Sequence, residues 1–260
     1  MAKIIWLSDL HFVAQGHVQG HDPRVRLARA IGHVNTHHRD AAACVISGDL
    51  VDRGTPGDYA ALHEQLTALK VPYLPMVGNH DDRALVRQVF DVPRGVEGFI
   101  QYVVPTDDAL LVCLDTHTPG ADHGSFCADR LDWLTDQLAE ADKPALIFMH
   151  HPPMALGLPM QDTDRLRDSA ALLDLLQSHS RKVLQLCIGH VHRPITGTLR
   201  GLSYATMRSV LYQAPPPVPA WDWDSFEPAK ENPGLGVLTL SDGVLRMQYE
   251  EFCRYEDGVT

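Results

Sequence analysis

Five short clusters of carboxylate, amide and imidazole residues punctuate the chain: Asp9 with His11, Asp49, Asn79 with His80 and Asp81, His150, and His190 with His192. Mixed imidazole and carboxylate donors suit Zn, Mn, Fe or Co, and no thiolate stands among them, so a structural cysteine-rich zinc site is excluded. Taken singly, each cluster has an ordinary explanation: a turn Asp beside a surface His, a Gly-Asn turn ahead of a helix, a satisfied core histidine. Taken together they offer enough donors for two ions, with one carboxylate shared. Two cations about 3.5–4 Å apart activate a water, bind phosphate oxygens and stabilise both attacking and leaving groups of an in-line displacement. Direct attack by metal-bound hydroxide then needs no protein nucleophile.

The elements that must position these donors can be read from periodicity. Each cluster follows a short apolar run: residues 4–7 before Asp9, 43–46 before Asp49, 73–77 before Asn79, 145–149 before His150 and 183–188 before His190. Such runs predict buried strands. Between them, Leu27, Ile31 and Val34, then Tyr59, Leu62, Leu66 and Leu69, then Leu131, Leu134, Leu138 and Ala141 recur at helical spacing, and a further helix is expected over residues 165–178. Residues 99–104 and 110–114 add strands, and the C-terminal third turns to glycine-punctuated β patterning around Leu199, residues 235–240 and 244–249, expected to be antiparallel. The alternation predicts an α/β fold, in which ligands bind beyond the carboxyl ends of strands. All five clusters fall at such ends.

Bulk properties narrow the function. A chain of 260 residues suits one large domain, and a formal charge of -11 leaves no sequence-wide positive field for a phosphate backbone, so long nucleic acids are not expected as partners. Cys44, Cys113, Cys127, Cys187 and Cys253 are odd in number, lack CxxC spacing and mostly sit in apolar runs, which predicts reduced, mainly core thiols. No apolar run approaches the roughly 18 residues of a membrane span. The first strand begins at once, leaving no room for a secretory leader, and a cytoplasmic location is expected. Residues 213–233 carry six prolines with Trp221, Trp223 and Phe226 and show neither period, which leaves a packed surface loop, a lid or a subunit contact open.

Asp9-Leu10-His11, Gly48-Asp49, Gly78-Asn79-His80-Asp81, His150 and Gly189-His190-Val191-His192 resemble the five-block signature of calcineurin-like metallophosphoesterases over residues 3–192. Gly78-Asn79-His80-Asp81-Asp82 and Phe148-Met149-His150-His151-Pro152-Pro153 look closest to bacterial class III cyclic-nucleotide phosphodiesterases and glycerophosphodiesterases. The resemblance implies a sandwich of two mixed β-sheets flanked by α-helices. It implies that Asp9, His11, Asp49 and His192 hold one metal and that Asp49, Asn79, His150 and His190 hold the other, bridged by Asp49. His80 would act beside the scissile phosphate with Asp81 as its orienting partner. A catalytic domain over residues 1–207 and a β/loop extension over 208–260 that completes this domain are expected, the extension also contributing to a homodimer or a lid.

The expected activity is metal-dependent hydrolysis of small phosphodiesters, either cyclic 3′,5′-nucleotides or glycerophosphodiesters. A nuclease or phosphomonoesterase of the same superfamily is the alternative, and the intact ligand blocks argue against a non-enzymatic scaffold. Asn79 and His80 are expected to meet substrate. His17, His21, His117 and His123, lying in loops near the motif turns, are expected to line the substrate pocket, whereas His33, His37, His38, His63 and His179 fall on expected helices and receive no role.

Overall fold

Ile4, Ile5, Trp6 and Leu7 are all buried, as in a strand covered on both faces. In the computed structural model, which describes residues 2–258, they belong to β1 (Ala2–Leu7), the centre of a five-stranded sheet. β1 pairs in parallel with β2 (Ala43–Ile46), and β2 with β3 (Tyr73–Pro75). On its other side β1 pairs antiparallel with β10 (Gly234–Ser241), which in turn pairs antiparallel with β11 (Val244–Glu251). Residues 234–251 are therefore part of the first sheet.

The second sheet has six strands: β4 (Tyr102–Pro105), β5 (Leu110–Cys113), β6 (Ala145–Met149), β7 (Val183–Ile188), β9 (Leu202–Thr206) and β8 (Thr196–Leu199), in that spatial order. β5, β6, β7 and β9 are parallel neighbours, and β4 and β8 close the edges antiparallel. Side chains of this sheet divide with period two. Leu111, Cys113, Leu146, Phe148 and Cys187 enter the core shared with the first sheet, whereas Val112, Ile147, Met149, Leu186 and Ile188 pack outward under helices. Trp6 and Phe148 meet across the sandwich edge to face, ring centroids 6.0 Å apart. Such an aromatic pair adds about 0.5–1.5 kcal/mol beyond its buried area.

The helices cover the outer faces. α1 (Pro23–His37) and α2 (Pro56–Leu66) bury Leu27, Ile31, Val34, Tyr59, Leu62 and Leu66 against the first sheet's core. α4 (Ala128–Glu140) and α5 (Ala170–Ser178) bury Leu134, Leu138, Leu172 and Leu176 against the second. α3 (Arg83–Val89) spans seven residues, too few for a periodic signal, and starts because the Asp82 carboxylate caps the Ala84 and Leu85 amides.

Several boundaries differ from expectation for local reasons. The helix expected from residue 165 begins at Ala170, because the Leu166 and Arg167 amides donate to the carbonyls of Pro152 and Gly124. The strand expected from residue 99 begins at Tyr102, because the Ile100 amide donates to the Asp115 carboxylate. All five cysteines are free; Cys44, Cys113 and Cys187 are buried and Cys127 is exposed. No helix among the described residues is long and apolar enough to cross a membrane.

Candidate metal centre

Past the ends of β1 and β2 the chain keeps pairing as it turns. The amides of Asp9, His11 and Phe12 donate to the carbonyls of Gly48, Asp49 and Leu50 at 3.2, 2.9 and 3.1 Å. Such tight turning is achieved by left-handed backbone. Nine non-glycine residues among those described have positive φ, and five of them are Asp9, His11, Asp49, His190 and His192. Left-handed backbone costs an L-residue roughly 1–2 kcal/mol, and its concentration at five expected ligands marks a site whose geometry the surrounding packing imposes.

Glycines make room for the convergence. A Cβ on Gly48, itself at φ +100°, would lie 2.5 Å from His150 Nδ1, and one on Gly78 would lie 2.1 Å from Asp49 Oδ1. Only a residue without a side chain admits these loops at such distances.

Two groups of donors result. Asp9, His11, Asp49 and His192 are all buried, and each offers a ligand atom within 4.8 Å of the others. His11 Nε2 lies 3.1 Å from His192 Nε2, and His192 Nε2 lies 3.4 Å from Asp9 Oδ1. In the second group, His150 Nε2 lies 3.1 Å from Asn79 Oδ1, and His190 Nδ1 lies 3.1 Å from the same oxygen and 3.3 Å from His150 Nε2. Asp49 Oδ2 stands between the groups, 3.5 Å from His11 Nε2 and 3.3 Å from His150 Nε2.

Outer contacts aim these atoms. His150 Nδ1 donates to the Ser47 carbonyl at 2.9 Å and His192 Nδ1 to the Tyr212 carbonyl at 3.0 Å, which turns each Nε2 lone pair inward. A buried chain runs from Trp6 Nε1 to Ser47 Oγ and on to Ser8 Oγ, each step 2.8 Å, and Ser8 Oγ donates to Asp9. His11 Nδ1 faces the Asp52 carboxylate at 3.3 Å. The His190 amide donates to Asp9 Oδ1 and the His80 amide to Asp49 Oδ1, both at 3.1 Å.

The electrostatics suit cation binding. Burial opposes ionisation of Asp9, but His192 and His150 outweigh it and hold its pKa at about 2. Asp49 is likewise held well below the carboxylate range against its burial, chiefly by His150 and His80. Burial, reinforced by His150, pushes His190 down to about 3, and burial also lowers His11, so both rings are neutral as ligation requires. Burial works against the charge on His150, yet Asp49 and Asp9 raise its pKa to about 9.

Ligands held about 2.0–2.2 Å from a common ion lie roughly 2.8–3.6 Å apart in octahedral or tetrahedral arrangement. The separations in both groups match that spacing, so the donors fit a pair of cations.

Asp81 departs from its expected role as the partner that orients His80. Its buried carboxylate accepts from the amides of Gly78, Leu50 and Val51 at 2.9, 3.1 and 3.4 Å and from the Tyr59 hydroxyl at 2.9 Å. It thus ties the turn after β3 to the turn after β2. His80 Nδ1 instead contacts the Asp52 carbonyl at 3.0 Å, and its ring stands edge on to His11. Partial burial disfavours charge on His80, but Asp49, the Asp52 carbonyl and the Asp52 carboxylate together raise its pKa.

A cavity of about 280 Å³ opens over the centre, lined by His11, Asp49, Asn79, His80, His190 and His192 on its floor. Asp122, Gln161, Asp164, Tyr212, Trp223 and Phe226 are among the remaining lining residues. His17, His21, His117 and His123 are not among them, which corrects the expected pocket residues. His17 is exposed, and the buried His21 contacts Arg26 through Nδ1 and the Tyr255 ring, because the bridge between Val18 and His21 folds their loop back on itself. His117 is buried behind Arg83, whose guanidinium donates to its carbonyl at 2.6 Å.

His151, which the motif also contains, has Nδ1 2.7 Å from Thr116 Oγ1 and Nε2 3.1 Å from the Asp122 carbonyl, so both its nitrogens already have partners. Residues 213–233 form no helix or regular strand. Trp221, Trp223 and Phe226 pack on one another, Phe226 contacts Tyr212 at 5.9 Å between centroids, and Tyr212 contacts His192 at 4.5 Å. Nothing in their sequence spacing marked Gln161 or Tyr212 as cavity residues.

Residues 2–194 match the family model described as calcineurin-like phosphoesterase. The chain is 39% identical over 217 residues to a probable cyclic nucleotide phosphodiesterase of Rhodopseudomonas palustris, covering 81% of this chain and 79% of the relative. It is 31% identical over 220 residues to the glycerophosphodiester phosphodiesterase GpdQ of Enterobacter lignolyticus, covering 80% and 77%. A dimetal phosphatase from Danio rerio shares the fold at TM-score 0.75 and 16% identity, with 97% of each chain covered.

Proposed function

The chain belongs to the calcineurin-like phosphoesterase family, and on that premise we propose that it is a phosphodiesterase acting on small phosphodiesters at a dinuclear metal centre. In this reading Asp9, His11, Asp49 and His192 hold one cation and Asp49, Asn79, His150 and His190 the other. Mn, Fe, Zn and Co all suit the donor set. The observation that carries the reading is the position of Asp49 Oδ2, 3.5 Å from His11 Nε2 on one side and 3.3 Å from His150 Nε2 on the other.

Two bound cations supply Lewis-acid polarisation of the phosphoryl group and an activated water. The protein's own groups do the rest. Asp49 holds the two ligand groups in one frame, and Asn79 presents an uncharged donor on the cavity floor. His80, anchored through Nδ1 at the Asp52 carbonyl, keeps Nε2 for proton transfer to the leaving oxygen. Its raised pKa suits an acid, and a positioned group of this kind contributes roughly 10²–10⁴-fold.

For the substrate we place cyclic 3′,5′-nucleotides first. Trp223 and Phe226 line the cavity, where an aromatic side chain can stack on a planar base, and both side-chain polar atoms of the buried Gln161 lack a hydrogen-bond partner. The second reading, a glycerophosphodiester with an ammonium head group, draws on Asp122 and Asp164, which line the same cavity as the aromatic rings. The formal charge of -11 weighs against a nuclease. A homodimer and a cytoplasmic location complete the proposal. Its test is hydrolysis of cyclic AMP, glycerophosphoethanolamine, bis(p-nitrophenyl) phosphate and a phosphomonoester by Mn- or Co-loaded protein. A dominant monoester rate would overturn the diesterase assignment.

A further inference from the structure

Away from the dinuclear centre, the end of α1 meets edge strand β11 through His33, His38 and Glu250. His33 Nε2 and His38 Nε2 each lie 2.9 Å from the same oxygen, Glu250 Oε2. The three offer ligand atoms within 4.8 Å of one another. His33 and His38 are five residues apart, which would place them about 140° apart around a continuing helix. The helix does not continue. His38 caps α1 at φ -136° and ψ 30°, its amide still bonded to the Val34 carbonyl, and this exit brings its ring to 5.6 Å from that of His33. The exposed His37 stands 4.8 Å from His33, ring to ring, as a third imidazole at the rim.

We propose that His33, His38 and Glu250 form a third metal site, suited to a borderline divalent ion such as Zn²⁺ or Ni²⁺. Two imidazoles and one carboxylate match that preference, whereas Mg²⁺ and Ca²⁺ favour all-oxygen shells. The side chains of His33, His38 and Glu250 are 18%, 9% and 29% exposed, so an ion can enter from solvent without unfolding the helix. An ion about 2.0–2.1 Å from each donor requires the 2.9 Å separations to widen by a few tenths of an ångström. A carboxylate on an edge strand can accommodate that shift. His37 or water completes the shell. The ligands are 212 and 217 residues apart in sequence, so a bound ion clips the first helix to the last strand and stabilises the folded state by mass action.

The test loads wild-type protein with Mn²⁺ at the dinuclear centre, adds Zn²⁺, desalts, and counts metals by mass spectrometry. Glu250→Gln, His33→Gln and Asn79→Ala are treated alike. Wild type is expected to retain one more equivalent of total metal than Glu250→Gln or His33→Gln, and Zn²⁺ should raise its Tm further than theirs. Asn79→Ala, altered at the dinuclear centre, should still bind the additional zinc. Unchanged turnover of bis(p-nitrophenyl) phosphate in Glu250→Gln shows that the variant is folded, and a normal circular dichroism melt serves if the diester is not a substrate. Equal metal content in wild type, Glu250→Gln and His33→Gln would overturn the site, as would loss of the additional zinc in Asn79→Ala alone.

Discussion

Asp49 and His150 approach to 3.3 Å, carboxylate oxygen to Nε2, although Asp49 follows β2 in one sheet and His150 follows β6 in the other. The candidate centre therefore straddles the sandwich, and each sheet contributes ligands to both proposed ions. Its geometry depends on how the two sheets pack, through contacts such as Trp6 on Phe148.

His80→Ala should lower kcat for cyclic AMP by roughly 10²–10⁴-fold while leaving metal content unchanged. The loss should be much smaller with bis(p-nitrophenyl) phosphate, whose leaving group needs no proton. Steady-state kinetics beside metal analysis check this; an equal loss on both substrates would remove His80 as the acid.

Ser8 orients Asp9 through a buried hydroxyl at the end of the chain from Trp6 and Ser47. Ser8→Ala should weaken metal affinity by about 10–100-fold, the usual cost of losing an outer partner of a ligand. Titration of apo protein with Mn²⁺ measures it. Unchanged affinity would show that Asp9 is oriented by other contacts.

Metal affinity should rise with pH. His150, with a pKa raised to about 9 in the absence of cations, carries a proton that a metal must displace. Below that pKa the proton competes, so affinity increases from pH 6 towards 9 and about one proton leaves for this residue on binding. Calorimetry in buffers of different ionisation enthalpy reads the release. Affinity that is flat or falls over this range would contradict the assignment of His150 as a ligand.

Trp223→Ala should reduce kcat/KM for cyclic AMP by about 5- to 150-fold, in line with about 1–3 kcal/mol for stacking a base on an aromatic ring. Bis(p-nitrophenyl) phosphate should be affected less. If glycerophosphoethanolamine alone suffers, the ammonium reading replaces the nucleotide reading.

Much of the centre was legible because its donors fall just past apolar runs, and those runs are the strands β1, β2, β3, β6 and β7. Their partition between two sheets was not legible from spacing, and the sandwich was expected by resemblance alone. The expected role of Asp81 differs because its carboxylate is consumed by three amides and a hydroxyl brought together only by the fold. The expected pocket histidines failed because nearness in sequence to a motif is not nearness in space: His21 turns away to Arg26 and Tyr255. Conversely, Trp223 and Phe226 reach the cavity from a proline-rich stretch without period, where pattern carries no information on direction.

The most direct test is the metal content and diester hydrolysis of wild type beside Asp49→Asn and Asn79→Ala, each reconstituted with Mn²⁺ and assayed on cyclic AMP and bis(p-nitrophenyl) phosphate. A shared Asp49 predicts that wild type binds two ions at this centre and is active, that Asn79→Ala loses activity with one ion weakened, and that Asp49→Asn loses both. An active Asp49→Asn protein that keeps both ions would contradict the dinuclear centre.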